Sequence, residues 1–420
     1  MNTAHMSPYA KSELREPDPQ RGEHGRSCAP RQGKSFRGYI AASLSLIAVF
    51  AASGAPYPLY ERYRIEEGLS TGDLSWATVS YLFAVLATLL VFGQISDYLG
   101  RKPVTLATLV LAALGSAVLL HLNGMMVLIL GRVLQGAACG LAASATQAYV
   151  LDTAPRHPTW LGAATATNVS QIGIVLGTLG GGFLAWSSPS PEQAPMLASI
   201  MLTVLALLLV IAADHDPVGR RSGAMTSLRP VVAIPQAARP LIVASAGVFI
   251  STWALTGFYQ SFAPTISATY LGTRNPVMAA LVIASVVGPQ PFGAAVSGRI
   301  PVRKAQVYGS VTFAFAVSAI AFGLYRHSAP LVIGSGLIAG LSQGVGYTAS
   351  VRMLLDKVTG DKHAGLMSAI SMISYIGSAV PSFIAGQLSL VMSLQAIATG
   401  YVGLAAAGAL LIIGIRHRTT

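Results

Sequence analysis

The chain has 420 residues, of which 53% are hydrophobic and only 10% are charged. A soluble protein averages about 25% charged residues, so this composition excludes an ordinary water-soluble fold and favours a polytopic helical membrane protein. The formal charge of +12 would suit a nucleic-acid partner, but the positions of the basic residues, given below, argue against one.

The first segment, residues 1–36, is polar and rich in Arg, Ser and Pro. It lacks the apolar core of a cleavable signal peptide, and its composition predicts a disordered cytoplasmic tail. Cys28 lies in this segment and Cys139 in an apolar one. This pair does not support a disulfide framework.

Twelve apolar segments follow, each near the roughly 20 residues that cross about 30 Å of hydrocarbon as a helix. They lie at roughly 38–60, 74–96, 103–121, 125–151, 160–185, 195–213, 241–264, 277–297, 305–325, 329–355, 364–390 and 393–415. We therefore predict an all-α integral membrane fold with about twelve transmembrane helices in two pseudo-symmetric six-helix bundles. The bundles are predicted at 37–213 and 241–415, joined by a cytoplasmic loop at 214–240 and followed by a cytoplasmic end at 416–420.

Basic residues occupy alternate breaks between these segments, and Lys and Arg stay on the cytoplasmic side of a membrane. One side holds the tail, the central loop and two turns that contain Arg101, Lys102, Arg303 and Lys304. The other side has only Arg62, Arg64, Arg274 and Arg326. This asymmetry and the compact loops predict a multi-pass protein of the bacterial cytoplasmic membrane, with both termini in the cytoplasm. It also explains the net charge without a nucleic-acid partner.

The two halves contain similar segments. "GAACGLAASATQAYVLD" ends at Asp152, and "GLSQGVGYTASVRMLLD" ends at Asp356. A Gly-rich span follows each acid. A match of this kind also arises by chance in Gly- and Ala-rich sequence. If it reflects duplication, it is typical of transporters, in which two similar halves move around a site at the midplane of the membrane.

The break between the second and third segments reads "GQISDYLGRKP", from Gly93 to Pro103. It resembles the signature of the major facilitator superfamily at this position, which has a Gly, then Asp, then Gly-Arg-Lys. The matching residues are Gly93, Asp97, Gly100, Arg101 and Lys102.

Two further stretches support the resemblance. "RVLQG" in the fourth segment contains Arg132, Gln135 and Gly136. "GIVLGTLGG", from Gly173 to Gly181, is similar to the fifth-span signature of the drug and metabolite exporter branch, although Thr178 stands where that pattern has Pro. The resemblance implies two six-helix bundles around a central cavity that opens alternately to each side.

The resemblance gives the Gly93–Lys102 turn a role as a conformational latch, in which Asp97 contacts the second bundle near the start of the eleventh helix, around His363. Independently, Arg101 is placed to bridge Asp97 to Asp152. The alternative is that Arg101 and Lys102 enforce topology while Asp97 is a solvated helix cap.

Arg132 is the charge that lies well inside a predicted span, and such a residue is a functional hypothesis by default. Family analogy assigns Arg132, with Gln135, to proton coupling. The alternative is that Arg132 extends to an interface or pairs with backbone carbonyls.

No acid accompanies Arg132, because each Asp and Glu falls at a span end, in a loop or in the tail. Burying an unpaired cation is costly, so we expect a neutral or anionic substrate. Proton coupling would then use boundary acids such as Asp73, Asp97 or Asp152.

Aromatic and amide side chains in the spans are the candidates for lining the cavity, since they suit a ligand with apolar and hydrogen-bonding parts. They are Tyr57, Tyr60, Gln147, Asn168, Gln171, Trp253, Tyr259, Gln260, Gln343, Tyr347 and Tyr375. Alternatively, such residues form interfacial belts or hydrogen-bond between helices. A separate set, Gly173, Gly177 and Gly181, is predicted to pack helices and to permit sliding between the bundles.

The sequence contains no HExxH, CxxC or P-loop motif, so it indicates neither a metal site nor an ATP-driven pump nor an enzyme. We predict a secondary active transporter of a small, largely apolar organic compound, most consistent with proton-coupled export by a monomer. Such a transporter would need no cofactor. The proton motive force would drive it, and it would lie in the lipid bilayer. The alternatives are an importer of a small organic metabolite and, more remotely, a non-transporting membrane receptor or scaffold.

Overall fold

Long helices dominate the computed structural model, which describes residues 36–155, 157, 158, 160–213, 232–359 and 362–416. Among these residues, twelve helices are long and apolar enough to cross a membrane. They are α1 (Phe36–Glu66), α2 (Thr71–Phe92), α3 (Arg101–Leu119), α4 (Met125–Thr153), α5 (Leu161–Ser187), α6 (Gln193–Ala212), α7 (Leu241–Tyr270), α8 (Pro276–Ser297), α9 (Val302–Tyr325), α10 (Ala329–Leu355), α11 (Gly365–Leu388) and α12 (Leu394–Gly414). The described residues contain no strand, and the predicted all-α membrane fold is confirmed.

The same helix pairings recur in the two halves of the chain. In the first half, α1 packs against α5, α2 against α4, and α3 against both α4 and α6. In the second half, α7 packs against α11, α8 against α10, and α9 against both α10 and α12. Because α1–α6 correspond in order to α7–α12, the two six-helix bundles are pseudo-symmetric. The halves meet where α2 contacts α11 and α5 contacts α8.

Three of the predicted segments lie wholly or partly outside the described residues. These are the tail up to residue 35, the central loop over 214–231 and the end at 417–420. Within the described part, α1 begins at Phe36, and a short helical turn at Gln236–Ala238 leads into the helix that begins at Arg239.

Helix α1 is longer than the sequence predicts, because it continues to Glu66. A proline removes a backbone hydrogen bond, and the chain accommodates Pro58 in a 3-10 turn over Tyr57–Leu59. The α-helix then resumes over Tyr60–Glu66. Glu61, which directly follows the first predicted span, lies on this helical extension.

Successive helices cross in opposite directions, so alternate turns lie on the same face of the bundle. We call one side the basic face, since it holds Arg101 and Lys102 after α2 and Arg303 and Lys304 at the start of α9. The opposite side, the far face, holds the turns α1–α2, α7–α8 and α9–α10.

The glycines of α5 bring it against α1 inside the first half. A Cβ added at Gly177 would lie 2.0 Å from the backbone oxygen of Ala51, and one at Gly181 would lie 2.6 Å from that of Ala55. Gly173 packs in the same way on Ile47. The predicted sliding between bundles is therefore not located at these glycines, because their contacts stay within one bundle.

Candidate functional site in the central cavity

A cavity of about 440 Å³ lies between the two halves. Helices of both halves line it, and Asp, Glu, Lys, Arg and His are absent from its described lining. The lining reaches Gly93 and Gln94 after α2 and Met367 and Ser368 at the start of α11. These positions are at the basic face, so the cavity extends to that face.

The far face is closed by contacts between the halves. The hydroxyl groups of Thr71 and Ser389 lie 2.7 Å apart. Trp76 on α2 meets Phe383 on α11 edge-to-face, with ring centroids 4.8 Å apart. Gly386 permits this approach, since a Cβ there would clash with Ser75. The conformation is thus open towards the basic face and closed at the far face.

Seven of the eleven predicted cavity residues line the cavity: Gln147, Gln171, Trp253, Gln260, Gln343, Tyr347 and Tyr375. All seven lie on helix surfaces that face the junction between the two halves. Trp253 packs edge-to-face on Tyr375 with ring centroids 4.8 Å apart, and the ring of Tyr347 is 6.3 Å from that of Trp253. The three rings form one aromatic wall from α7, α10 and α11.

The other four predicted residues do not line the cavity in this conformation. Tyr57, Tyr60 and Tyr259 are buried in the apolar cluster towards the far face, so they belong neither to the cavity nor to a lipid-facing belt. The side chain of Asn168 donates a hydrogen bond to the backbone oxygen of Ala164 within its own helix.

Sequence reasoning missed several lining residues, among them Tyr81, Gln94 and Gln290. Gln94 directly follows Gly93, the first glycine of the α2–α3 signature, and Gln290 lies in an apolar span, so amides within apolar segments were a usable signal. Tyr81, an aromatic residue in the second predicted span, carried the same signal as Trp253 and was overlooked.

Arg132 is fully buried beside the cavity and does not line it. One guanidinium nitrogen donates to the backbone oxygen of Ser53 at 2.8 Å and to Oε1 of Gln135 at 2.7 Å. The guanidinium carbon lies 4.5 Å from the ring centroid of Tyr57 and 4.4 Å from that of Tyr81. Cation–π stacking, one backbone oxygen and one amide oxygen thus take the place of an acid. Tyr81 thus contacts Arg132 on one side and lines the cavity on the other.

The Gly93–Lys102 turn forms a charged cluster at the basic face. Arg101 pairs with Asp97 at 2.6 Å and with Asp152 at 2.9 Å. Lys102 donates to the backbone oxygens of Ile211 and Ala213 at the end of α6, where a cation complements the helix dipole. These contacts connect parts of the first half only. In this conformation, which is open at the basic face, a latch between Asp97 and α11 would be released.

Glu61 is a buried acid in the last turns of α1. It is 7% exposed and accepts two hydrogen bonds from Arg64, at 2.7 and 3.0 Å. The hydroxyl of Thr265 on α7 donates to the same carboxylate at 3.2 Å. Glu61 and Thr265 therefore join the two halves near the far face.

Comparisons with known proteins agree with this architecture. The Major Facilitator Superfamily profile matches residues 41–380. "Uncharacterized MFS-type transporter Rv1877" of Mycobacterium tuberculosis is 28% identical over 303 residues, 66% of this chain and 41% of that relative. "Quinolone resistance protein NorA" of Staphylococcus aureus is 23% identical over 186 residues, 44% of this chain and 47% of that protein. The chain thus spans less than half the length of these curated relatives.

Two solved structures share the fold at low sequence identity. A mutant of the nucleoside transporter NupG has a TM-score of 0.70 at 12% identity, over 90% of this chain and 99% of that one. The human organic anion transporter MFSD10 has a TM-score of 0.60 at 16% identity, with the same coverage.

Proposed function

Because this chain belongs to the major facilitator superfamily, we propose that it is a secondary transporter that moves a small uncharged organic compound by alternating access. The cavity between the halves carries this proposal, since it is closed at the far face and lined as far as the basic face. Absence of charged groups from the described lining favours a neutral substrate over the anionic one also considered, because an ion would lose its hydration without gaining a counter-charge.

The transport cycle follows from the contacts that differ between the two ends of the cavity. Opening the far face requires the halves to separate at Thr71 and Ser389 and at Thr265 and Glu61. Closing the basic face brings the Asp97 turn towards α11. Two packed arrangements of rigid bundles suffice for such a transition.

We assign the direction as proton-coupled export through a bacterial cytoplasmic membrane, by a monomer with both termini in the cytoplasm. The fifth-span resemblance and the quinolone resistance named for NorA support export, and the basic face supports the orientation. Because the described residues of the lining include no acid, we place the coupling acid elsewhere. The candidates are Asp73, Asp97 and Asp152, together with the buried Glu61.

Everted membrane vesicles test the proposal. They are energised to acidify their interior and supplied with radiolabelled chloramphenicol, an uncharged aromatic amide, with and without a protonophore. Export predicts accumulation that the protonophore abolishes and that Trp253→Ala reduces, whereas Phe315→Ala, at a 73% exposed position outside the cavity, transports normally. Accumulation only in right-side-out vesicles would identify an importer, and no flux in either preparation would refute transport of this compound class.

A further inference from the structure

The chemical groups around the cavity narrow the class of compound it binds. Three amides, those of Gln94, Gln171 and Gln260, are among the residues that line it. Gln260 is only 6% exposed, and its Oε1 has no partner among the described residues. Ser378, 1% exposed, likewise has an unpartnered hydroxyl there. Buried polar groups are normally paired, so the amide of Gln260 is available to bond to a ligand in the cavity.

These unpaired groups lie beside the aromatic wall. Gln260 is on α7, as is Trp253, and Ser378 is on α11, as is Tyr375. Gly257, one turn before Gln260, is in close contact with Ser378, where an added Cβ would lie 2.5 Å from the hydroxyl oxygen. The hydroxyl of Ser378 therefore lies in the packing between α7 and α11, whereas Gln260 and the rings of Trp253 and Tyr375 line the cavity.

The first half presents an amide from the opposite side. Gln171 lies on α5 and lines the same cavity. An amide offers a donor and an acceptor side by side. A ligand that satisfies Gln171 and Gln260 together needs both kinds of group on its edge, and it contacts both halves at once.

We propose that the substrate is an uncharged, flat heteroaromatic compound with hydrogen-bond donors and acceptors on its edge. Its ring packs against Trp253 and Tyr375, and its edge bonds to Gln260 on one side and to Gln171 on the other. A cavity of about 440 Å³ is within the usual range for sites that hold drug-sized molecules. This inference rests on the proposed function, because it treats the cavity as the substrate site.

Three compounds that share one ring system test how the charge of a ligand affects its binding while its shape stays nearly constant. Quinoline-3-carboxamide is neutral, quinoline-3-carboxylate is its anionic counterpart, and 3-carbamoyl-1-methylquinolinium, methylated at the ring nitrogen, is its cationic one. Isothermal titration calorimetry on the purified full-length protein measures their binding without a membrane gradient. We expect the neutral amide to bind at least about tenfold more tightly than either ion.

Variants of Gln260 test the assigned contact. Gln260→Leu should weaken binding of the neutral amide about tenfold, while Gln387→Leu, an exposed amide of α11 outside the cavity, should leave it unchanged. Gln260→Glu should reverse the preference and favour the cationic compound, which a merely misfolded variant would not do.

Equal or tighter binding of an ion, no binding of the amide, or unchanged affinity in Gln260→Leu would each overturn this inference. The outcome is independent of the transport assay. Binding with the expected preference but without flux would refute transport alone, whereas flux of chloramphenicol without binding of the quinoline amide would refute the ring-and-edge assignment alone.

Discussion

Arg132 shows how a full charge is held inside the bundle without a carboxylate. The rings of Tyr57 and Tyr81 both stack on its guanidinium group. The backbone oxygen of Ser53 and the side-chain oxygen of Gln135 accept hydrogen bonds from one of its nitrogens. Gln135 is itself fixed by a bond to the backbone oxygen of Ala52. An intramembrane charge without such support is costly. The arrangement is specific to arginine, because its planar guanidinium group both stacks on rings and donates hydrogen bonds.

Arg132→Ala is expected to lower stability and abolish transport. The substitution leaves the two acceptors unpaired, at about 1–3 kcal/mol each in free energy of unfolding, and it removes the cation behind Tyr81. Thermal unfolding in detergent and the vesicle assay measure the two effects. Arg132→Lys keeps the charge without planar stacking and should give intermediate values. Wild-type flux with wild-type stability in Arg132→Ala would exclude both roles.

At the scale of elements, the approach of α5 to α1 rests on glycines at particular positions. The chain provides an internal comparison, because a Cβ at Gly177 would overlap the backbone of Ala51 while one at Gly180 would meet nothing within 4 Å. Backbone atoms cannot move aside as a flexible side chain can, so α5 and α1 would have to separate.

Gly177→Ala is expected to destabilise the first half by about 1–3 kcal/mol, the usual cost of overpacking a core. Gly180→Ala should be neutral or slightly stabilising, since alanine has the higher helix propensity. Thermal unfolding of the two variants beside the wild type is the measurement. Equal loss of stability in both would mean that the close approach of α5 to α1 is not the cause of the loss in Gly177→Ala.

The junction of α1 with α7 is the second element-scale feature, because it contains a hydrogen bond from Thr265 to a buried charge on the other half. A hydrogen bond to a charged group contributes roughly 1.5–3 kcal/mol. Its loss should therefore shift the balance towards the state that is open at the far face.

Thr265→Val is expected to raise far-face opening about tenfold. Ser75→Cys, in a Cys28→Ser background, reports opening through its rate of reaction with a membrane-impermeant maleimide, since Ser75 is buried against Gly386. Thr399→Val, an exposed threonine of α12, is the matched control. An unchanged labelling rate in Thr265→Val would show that this hydrogen bond does not stabilise the closed far face.

At the scale of the whole molecule, the fold was predictable from sequence because span length, loop charge and the Gly93–Lys102 motif are local patterns. The cavity was predictable in part: Gln147, Gln171 and Gln260 stand out as amides in apolar helices. Tyr57, Tyr60 and Tyr259 were misplaced, since residue type alone does not distinguish a cavity wall from a packed far-face cluster. Glu61 was missed because the continuation of α1 beyond Pro58 depends on tertiary packing.

The central claim is that the two bundles separate at the far face during each cycle of transport. The direct test is a disulfide between Thr71→Cys and Ser389→Cys, whose native hydroxyl oxygens lie 2.7 Å apart. We predict that the cross-linked protein retains ligand binding, loses flux, and regains flux when the disulfide is reduced. Each single cysteine variant should transport normally. Unimpaired flux in fully cross-linked protein would contradict the account.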